Sequence, residues 1–339
     1  LNNHPPYEAL SYVWGDPNAT VAVRLHDVER HVTVNLALAL RYLRLPEETR
    51  AVWADAMCIN QEDDIEKTHQ VRQMRNIYLG VERVAVWLGE DVNGDAREIL
   101  DLYGDGSELG TVYRRWYFGD KAAFWDTRNA VFYRPWWTRT WTLQEVIHDG
   151  PVQAYIGSHQ IDFDELCTKF MSYIQYAYII RGSDIPEQPT LAAAPQPSDD
   201  YTSLFLSSTI MTEIAPQIQS ERQQRKRKPN EPGILEMSLV LFRYQQCTDV
   251  RDKIFAPLGM INQQSDSGSL VEHRSSKRNV YTVVMRQLLQ VQDTNSMTCI
   301  QSPERPIATS DLPSWVVDWT THQDVFSQFS YVHSSYFPS

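Results

Sequence analysis

Cysteine is scarce in this 339-residue chain, and the four present, Cys58, Cys167, Cys247 and Cys299, are far apart. Their spacing gives neither a disulfide framework nor the paired ligands of a zinc site, which predicts a reduced, cytoplasmic setting and no metal centre. Long apolar runs are lacking as well. No stretch approaches the ~18 residues of a membrane span, and no signal peptide is visible. Gly15, Gly80 and Gly89 stand alone at the strand and helix ends, which argues against a kinase or P-loop enzyme with a phosphate-cradling loop there. Positive charge is in deficit too: 31 Lys and Arg against 43 Asp and Glu leave a net charge of −12. That balance argues against a nucleic-acid-binding face or an anionic-membrane surface.

What the chain does have is length enough for a sizeable core, so one larger α/β domain plus a second, helical region is expected. Short apolar runs alternate with helical patterns. Residues 9–14 read as a strand, and VAVRL (21–25) and HVTV (31–34), separated by residues 26–30, read as a hairpin. Asn35 is a candidate N-cap for a helix bearing Leu36, Ala39, Leu40 and Leu43 on one face and closed by Pro46. A strand follows at 51–54. Asp63 or Asp64 then opens a helix with Val71, Met74 and Tyr78 on one face and Gly80 just past its end. Residues 84–88 form a nearly all-apolar strand. Strands apolar on both faces and alternating with helices predict a parallel sheet covered on both sides, in a flavodoxin-like arrangement.

The densest chemistry lies in PWWTRTWTLQEV, residues 135–146, which joins three tryptophans, an arginine and one carboxylate. On a helix beginning near Thr140, Trp141 and Glu145 stand four apart on one face, with Arg139 at the mouth and Gln144 beside the carboxylate. Two readings stand open: a buried Glu145 paired with Arg139 inside an aromatic core, or an active-site acid in a pocket for a flat ligand. In a parallel sheet, ligands bind beyond the carboxyl ends of the strands. Ser11 to Asp16, then Asp55, Cys58, Asn60 and Gln61, then Gly89 and Glu90 all fall at such ends, which predicts one shared rim. Cys58 with His69 is no recognised nucleophile–base spacing. Glu62, Asp63, Asp64 and Glu66 read as a solvated helix start that favours the dipole.

Four segments occur in a telling order: YEALSYVWGD (7–16), AVWADAMCINQEDDIEKTHQVRQMRNIY (51–78), RVAVWLGE (83–90) and the tryptophan-rich run. Together they resemble the fungal heterokaryon-incompatibility (HET) domain. CTDVRDKIFAPLGM (247–260) and LPSWVVDW (312–319) look like segments that follow this domain in many of its proteins. The departures are Ala54, where a branched apolar residue is usual, and Met57, where Ile is common; neither removes a polar group. The resemblance implies a role in nonself recognition and regulated cell death. It also implies a distant kinship with the TIR domain, whose functional glutamate sits in a WCLxE-type pattern similar to Trp141–Glu145 here.

That second resemblance implies a TIR-like fold and an NAD glycohydrolase in which Glu145 is catalytic. The nucleotide site would comprise Ser11, Tyr12, Trp14, Gly15, Asp16, Asp55, Cys58, Asn60, Gln61, Arg139, Trp141 and Gln144. NAD would be a substrate and no cofactor is required. Cleavage of the nicotinamide–ribose bond suits a single carboxylate, because nicotinamide departs neutral and needs no proton donor, unlike an oxygen leaving group. Glu145 would stabilise the oxocarbenium-like ribose, Trp14, Tyr12 or Trp141 would hold a planar ring, and Arg139 would pair with the pyrophosphate. The alternative is a non-catalytic signalling module whose aromatic motifs build core and self-association surface. Homo-oligomerisation on activation is expected on either reading, as TIR-like proteins complete their site across a subunit contact.

The domain organisation expected is a HET (TIR-like) domain over 1–160 and a mainly helical region over 161–339. Residues 163–180 carry Leu166, Phe170, Ile174 and Tyr178 at four-residue spacing. Residues 182–233 turn to Pro, Ser, Gln and Ala and read as a flexible linker or insertion, with the basic cluster Arg222, Arg225, Lys226, Arg227 and Lys228 as a solvated loop. Residues 233–259 and 280–291 return to helical patterning.

Overall fold

The apolar segments do pair with one another, but not in chain order. The computed structural model describes residues 5–25, 27–92, 94, 96, 131, 134–169, 214–228, 238–239, 245–260, 275–290, 311–313 and 315–320. Its strands are β1 Glu8–Ser11, β2 Thr20–Leu25, β3 Val28–Thr33, β4 Val52–Trp53, β5 Arg83–Gly89, β6 Val152–Ile156 and β7 His159–Asp162. The main sheet has five strands in the order β4-β1-β5-β6-β7, and β2-β3 form a separate two-stranded sheet. β1 runs parallel to β4 and β5, and β5 parallel to β6. β7 alone is antiparallel, folded back on β6. The α/β architecture expected from sequence is therefore present, but the sheet expected to be parallel is only mostly so, because the short turn after β6 returns the chain directly as antiparallel β7. β5 gives its reason: Val84 to Leu88 are all buried, as a strand covered on both faces requires.

The helices are α1 Val34–Leu43, α2 Asp55–Cys58, α3 Asp64–Leu79 and α4 Thr140–Val146. They are followed by α5 at 163–169 and α6 at 214–227. Leu36, Ala39 and Leu43 on α1 pack with Leu10, Ala85, Trp87 and Tyr155 in one core. Asp63 caps α3, its carboxylate accepting from the amides of Ile65 at 2.9 Å and Glu66 at 3.1 Å.

Several expectations change in detail. β1 stops at Ser11 rather than residue 14, because the next carbonyls are taken by side chains: Tyr12 O by Arg139 and Val13 O by Asn35. Asn35 is not the cap of α1. Thr33 is, with no side-chain cap bond, while Asn35 holds Val13 and accepts from the Trp87 indole at 3.0 Å. β3 begins at Val28, inside the expected loop, with Leu25 paired to Val28 and Asp27 turned at φ 65°.

Residues 214–227 are not a linker but α6, with Ile214, Ala215, Ile218 and Arg222 buried. Residues 170–180, 182–213 and 229–233 lie outside the described residues. The chain divides into two compact units, Leu1–Pro229 and Asn230–Ser339. In the second, α7 (Asp252–Met260) and α8 (Lys277–Gln290) contribute Ile254, Val280, Tyr281, Val284 and Leu288 to a core that also holds Val316 and Trp319. Among the described residues no helix is long and apolar enough to cross a membrane.

Candidate functional site

Because β1, β4, β5 and β6 are parallel, their carboxyl ends share one edge. Ser11 is the last residue of β1, and Asp55 opens α2 two residues beyond β4. Gly89 ends β5 at φ 115°, where an added Cβ would lie 2.9 Å from the Arg134 guanidinium. Only glycine combines that backbone with that close approach.

Glu145, one residue before the end of α4, reaches this edge and is 2% exposed. Ser11 Oγ donates to Glu145 Oε2 at 2.5 Å and in turn accepts from the Trp136 indole at 2.8 Å. The three groups form a buried chain: indole N–H, hydroxyl, carboxyl. Burial raises the Glu145 carboxyl from 4.5 to about 7; Arg139 and the Ser11 hydrogen bond pull it down, and Asp55 pushes it up. Among the described residues Glu145 and Arg139 make no ion pair. The Arg139 guanidinium donates to Tyr12 O instead, so it acts on Glu145 only through its charge.

A second group of contacts adjoins the first. The Trp14 indole donates to Asp55 Oδ2 at 2.9 Å, and Gln61 Nε2 to the Asp55 carbonyl at 3.2 Å. Tyr12 is buried, with its hydroxyl beside Asp55. Burial first, and Asp55 next, raise that phenol far above its ordinary range. Tyr78 on α3 donates to Leu10 O at 3.0 Å and feels the charges of Glu145, Asp55 and Arg139.

Of the residues expected at the site, Ser11, Tyr12, Trp14, Asp55, Gln61, Arg139 and Glu145 are thus joined by direct bonds or mutual charge. Gln144 is buried beside Glu145 in sequence, its Oε1 unpartnered, and Trp141 is half-buried. Of the remaining four, Cys58 is linked to this network only through the charge of Asp55, and Gly15, Asp16 and Asn60 do not join it. Gly15 and Asp16 are exposed, Asp16 accepting from the amide of Asn18 at 2.9 Å. Asn60 is exposed and engaged with Glu62 and Glu66. Cys58 ends α2 as an exposed residue, yet partial desolvation raises its thiol, opposite to what a thiolate nucleophile needs.

Sequence reasoning overlooked Trp136 and Tyr78. Trp136 sits in the run that drew attention, but its partner is 125 positions away and nothing local announces the contact. Among the described residues no three His, Cys, Asp or Glu side chains gather as a metal site would require.

Residues 7–145 match the family model for "Heterokaryon incompatibility protein (HET)". The chain is 28% identical to "Heterokaryon incompatibility protein 6, OR allele" of Neurospora crassa, over 93% of its own length and 53% of that protein's. It therefore spans about half the length of this curated relative. No solved structure matches the chain significantly.

Proposed function

This chain is a HET-domain protein, homologous to a Neurospora heterokaryon-incompatibility protein, and on that premise we propose that it acts in fungal nonself recognition leading to regulated cell death by cleaving NAD to nicotinamide and ADP-ribose. The observation that carries the chemical half is the buried Ser11–Glu145 hydrogen bond at the carboxyl edge, with the carboxyl poised at about 7. A carboxyl with that value changes charge near neutral pH, and strongly perturbed groups of this kind gather at functional sites. The strands of the main sheet, counted in chain order without the separate hairpin, run 2-1-3-4-5, the flavodoxin-like order, with the fifth departing from that pattern by running antiparallel. That order supports a TIR-like reading of the unit, in which ligands sit at this edge.

In the reaction the ribose C1′–nitrogen bond breaks with its electron pair going to nicotinamide, which leaves neutral. Ionised Glu145 stabilises the positive charge that develops on the ribose. Water adds to C1′ and releases one proton, giving ADP-ribose. Arg139 uses one N–H on Tyr12 O, and its remaining donors suit the pyrophosphate. Trp14, fixed by Asp55, offers an aromatic face to a planar ring.

One observation favours a second reading. At 2% exposure, Glu145 presents little surface to a ribose, as in a non-catalytic module whose buried polar chain fixes the domain core. Purified protein incubated with NAD separates the two. Release of nicotinamide that disappears in Glu145→Gln supports the enzyme, and no release at any protein concentration supports the non-catalytic module.

A further inference from the structure

Arg222 lies on α6, 77 positions after Glu145 in a chain whose family match ends at residue 145, and it is 1% exposed. Arginine carries five N–H donors in a rigid fork, and here all five have acceptors. Nε meets Asp164 Oδ1 at 2.5 Å, and one terminal nitrogen meets Val146 O at 2.5 Å and His148 O at 2.9 Å. The other meets Gly150 O at 3.2 Å and Asp164 Oδ2 at 3.0 Å. Three of these acceptors are backbone carbonyls of the segment that leaves α4, the first belonging to the residue next to Glu145. A cation at a helix C-terminus supplies donors that the last carbonyls lack and complements the dipole.

A second connection runs through side chains. The guanidinium carbon lies 5.9 Å from the Phe163 ring centroid, and Phe163 packs edge-on against Trp136 at 5.6 Å. Trp136 donates to Ser11, and Ser11 to Glu145. Arg222 therefore connects to Glu145 indirectly by two routes: through the backbone that follows it, and through Phe163 and the indole and hydroxyl that hold its carboxyl.

We propose that Arg222 is a positioning residue for Glu145, so that the functional unit extends through α6 rather than ending with the α4 motif. A saturated guanidinium buried among fixed acceptors has no capacity left for a ligand, which assigns it to support rather than binding. The charges that act on Glu145 are those of Arg139 and Asp55, and Tyr78 and Ser11 face it from α3 and β1. Arg222 is not among those neighbours, so its influence on Glu145 passes through position. The further step, from position to turnover, rests on the reading of Glu145 as the acting carboxylate.

The test is the titration of the Glu145 carboxyl, followed by 13C NMR of the glutamate-labelled full chain and assigned with Glu145→Gln, in Arg222→Lys and Arg222→Met. Lysine keeps a charge opposite Asp164 and hence the docking of α6, but cannot serve three carbonyls at once. It is therefore the variant on which the decision is read even where Arg222→Met fails to fold. With the α4 exit loosened, water reaches the carboxyl, and because burial is the largest cause of its raised value, outweighing any loosening of the Ser11 hydrogen bond, the midpoint falls from about 7 toward 4.5. Arg222→Lys that melts lower while Glu145 still titrates at about 7 would overturn the proposal and leave Arg222 as packing only. Lys226→Ala, which removes one exposed partner of Asp164, leaves the midpoint in place. NAD cleavage is read on the same samples: a moved midpoint in a protein that never cleaves NAD retires the catalytic reading and keeps the positioning role.

Discussion

Ser11 is the residue on which the account turns, because it is both donor to Glu145 and acceptor from Trp136. Its hydrogen bond favours the ionised carboxylate, so Ser11→Ala moves the Glu145 midpoint above about 7 and carries any pH dependence of turnover in the same direction. Losing a hydrogen bond to a charged group and orphaning the indole N–H also lowers stability by about 1.5–3 kcal/mol. Carboxyl titration by NMR and urea denaturation read the two effects. Linkage gives a further check. The folded-state value of Glu145 is raised, so its contribution is fully present below 4.5 and is lost as pH rises to about 7. His148 is shifted the other way, from 6.5 to about 4, by burial and then by Arg222. Its contribution is present above 6.5 and lost as pH falls toward 4. Melting curves across this interval should therefore show Glu145→Gln gaining on the wild type as pH rises, and a difference independent of pH would contradict the assignment of the raised group.

Among the elements, α3 illustrates what local sequence makes legible. Asp63 stands just before a periodic apolar pattern, and its carboxylate accepts from two amides of the first turn. Asp63→Ala should lower stability by about 1 kcal/mol in thermal or urea unfolding. Asn35 stands in an equally suggestive place before α1, yet its side chain bridges the exit of β1 and the indole of Trp87. That is a contact between distant segments, and no local pattern encodes it. At the β6–β7 hairpin the turn is legible, since Gly157 and Ser158 with Gly157 at φ 55° form a two-residue turn signal, but the strands are not, because VQAYI is nearly all buried and HQID carries a single apolar residue. α6 was illegible for another reason. Composition marks a basic cluster as solvated, and only the folded chain brings Asp164 and three carbonyls to Arg222. The same division holds at the site, where the motifs announced Ser11, Asp55 and Glu145 while the bond between Ser11 and Glu145 spans 134 positions.

For the whole molecule, the proposal joins a family role to a chemistry, and oligomerisation is where the two meet. With Glu145 buried, access for a nucleotide would come with self-association, as the TIR resemblance implies. Turnover per molecule should then rise with protein concentration, and a rate strictly proportional to concentration in a protein that sediments as a monomer would count against it. The central claim, that Glu145 acts on substrate rather than merely filling the core, is tested most directly by measuring NAD cleavage and melting temperature on one preparation of Glu145→Gln beside the wild type. The amide keeps the shape and removes the charge, so the account predicts a folded protein whose nicotinamide release falls by orders of magnitude. A folded Glu145→Gln protein that cleaves NAD as fast as the wild type would contradict it.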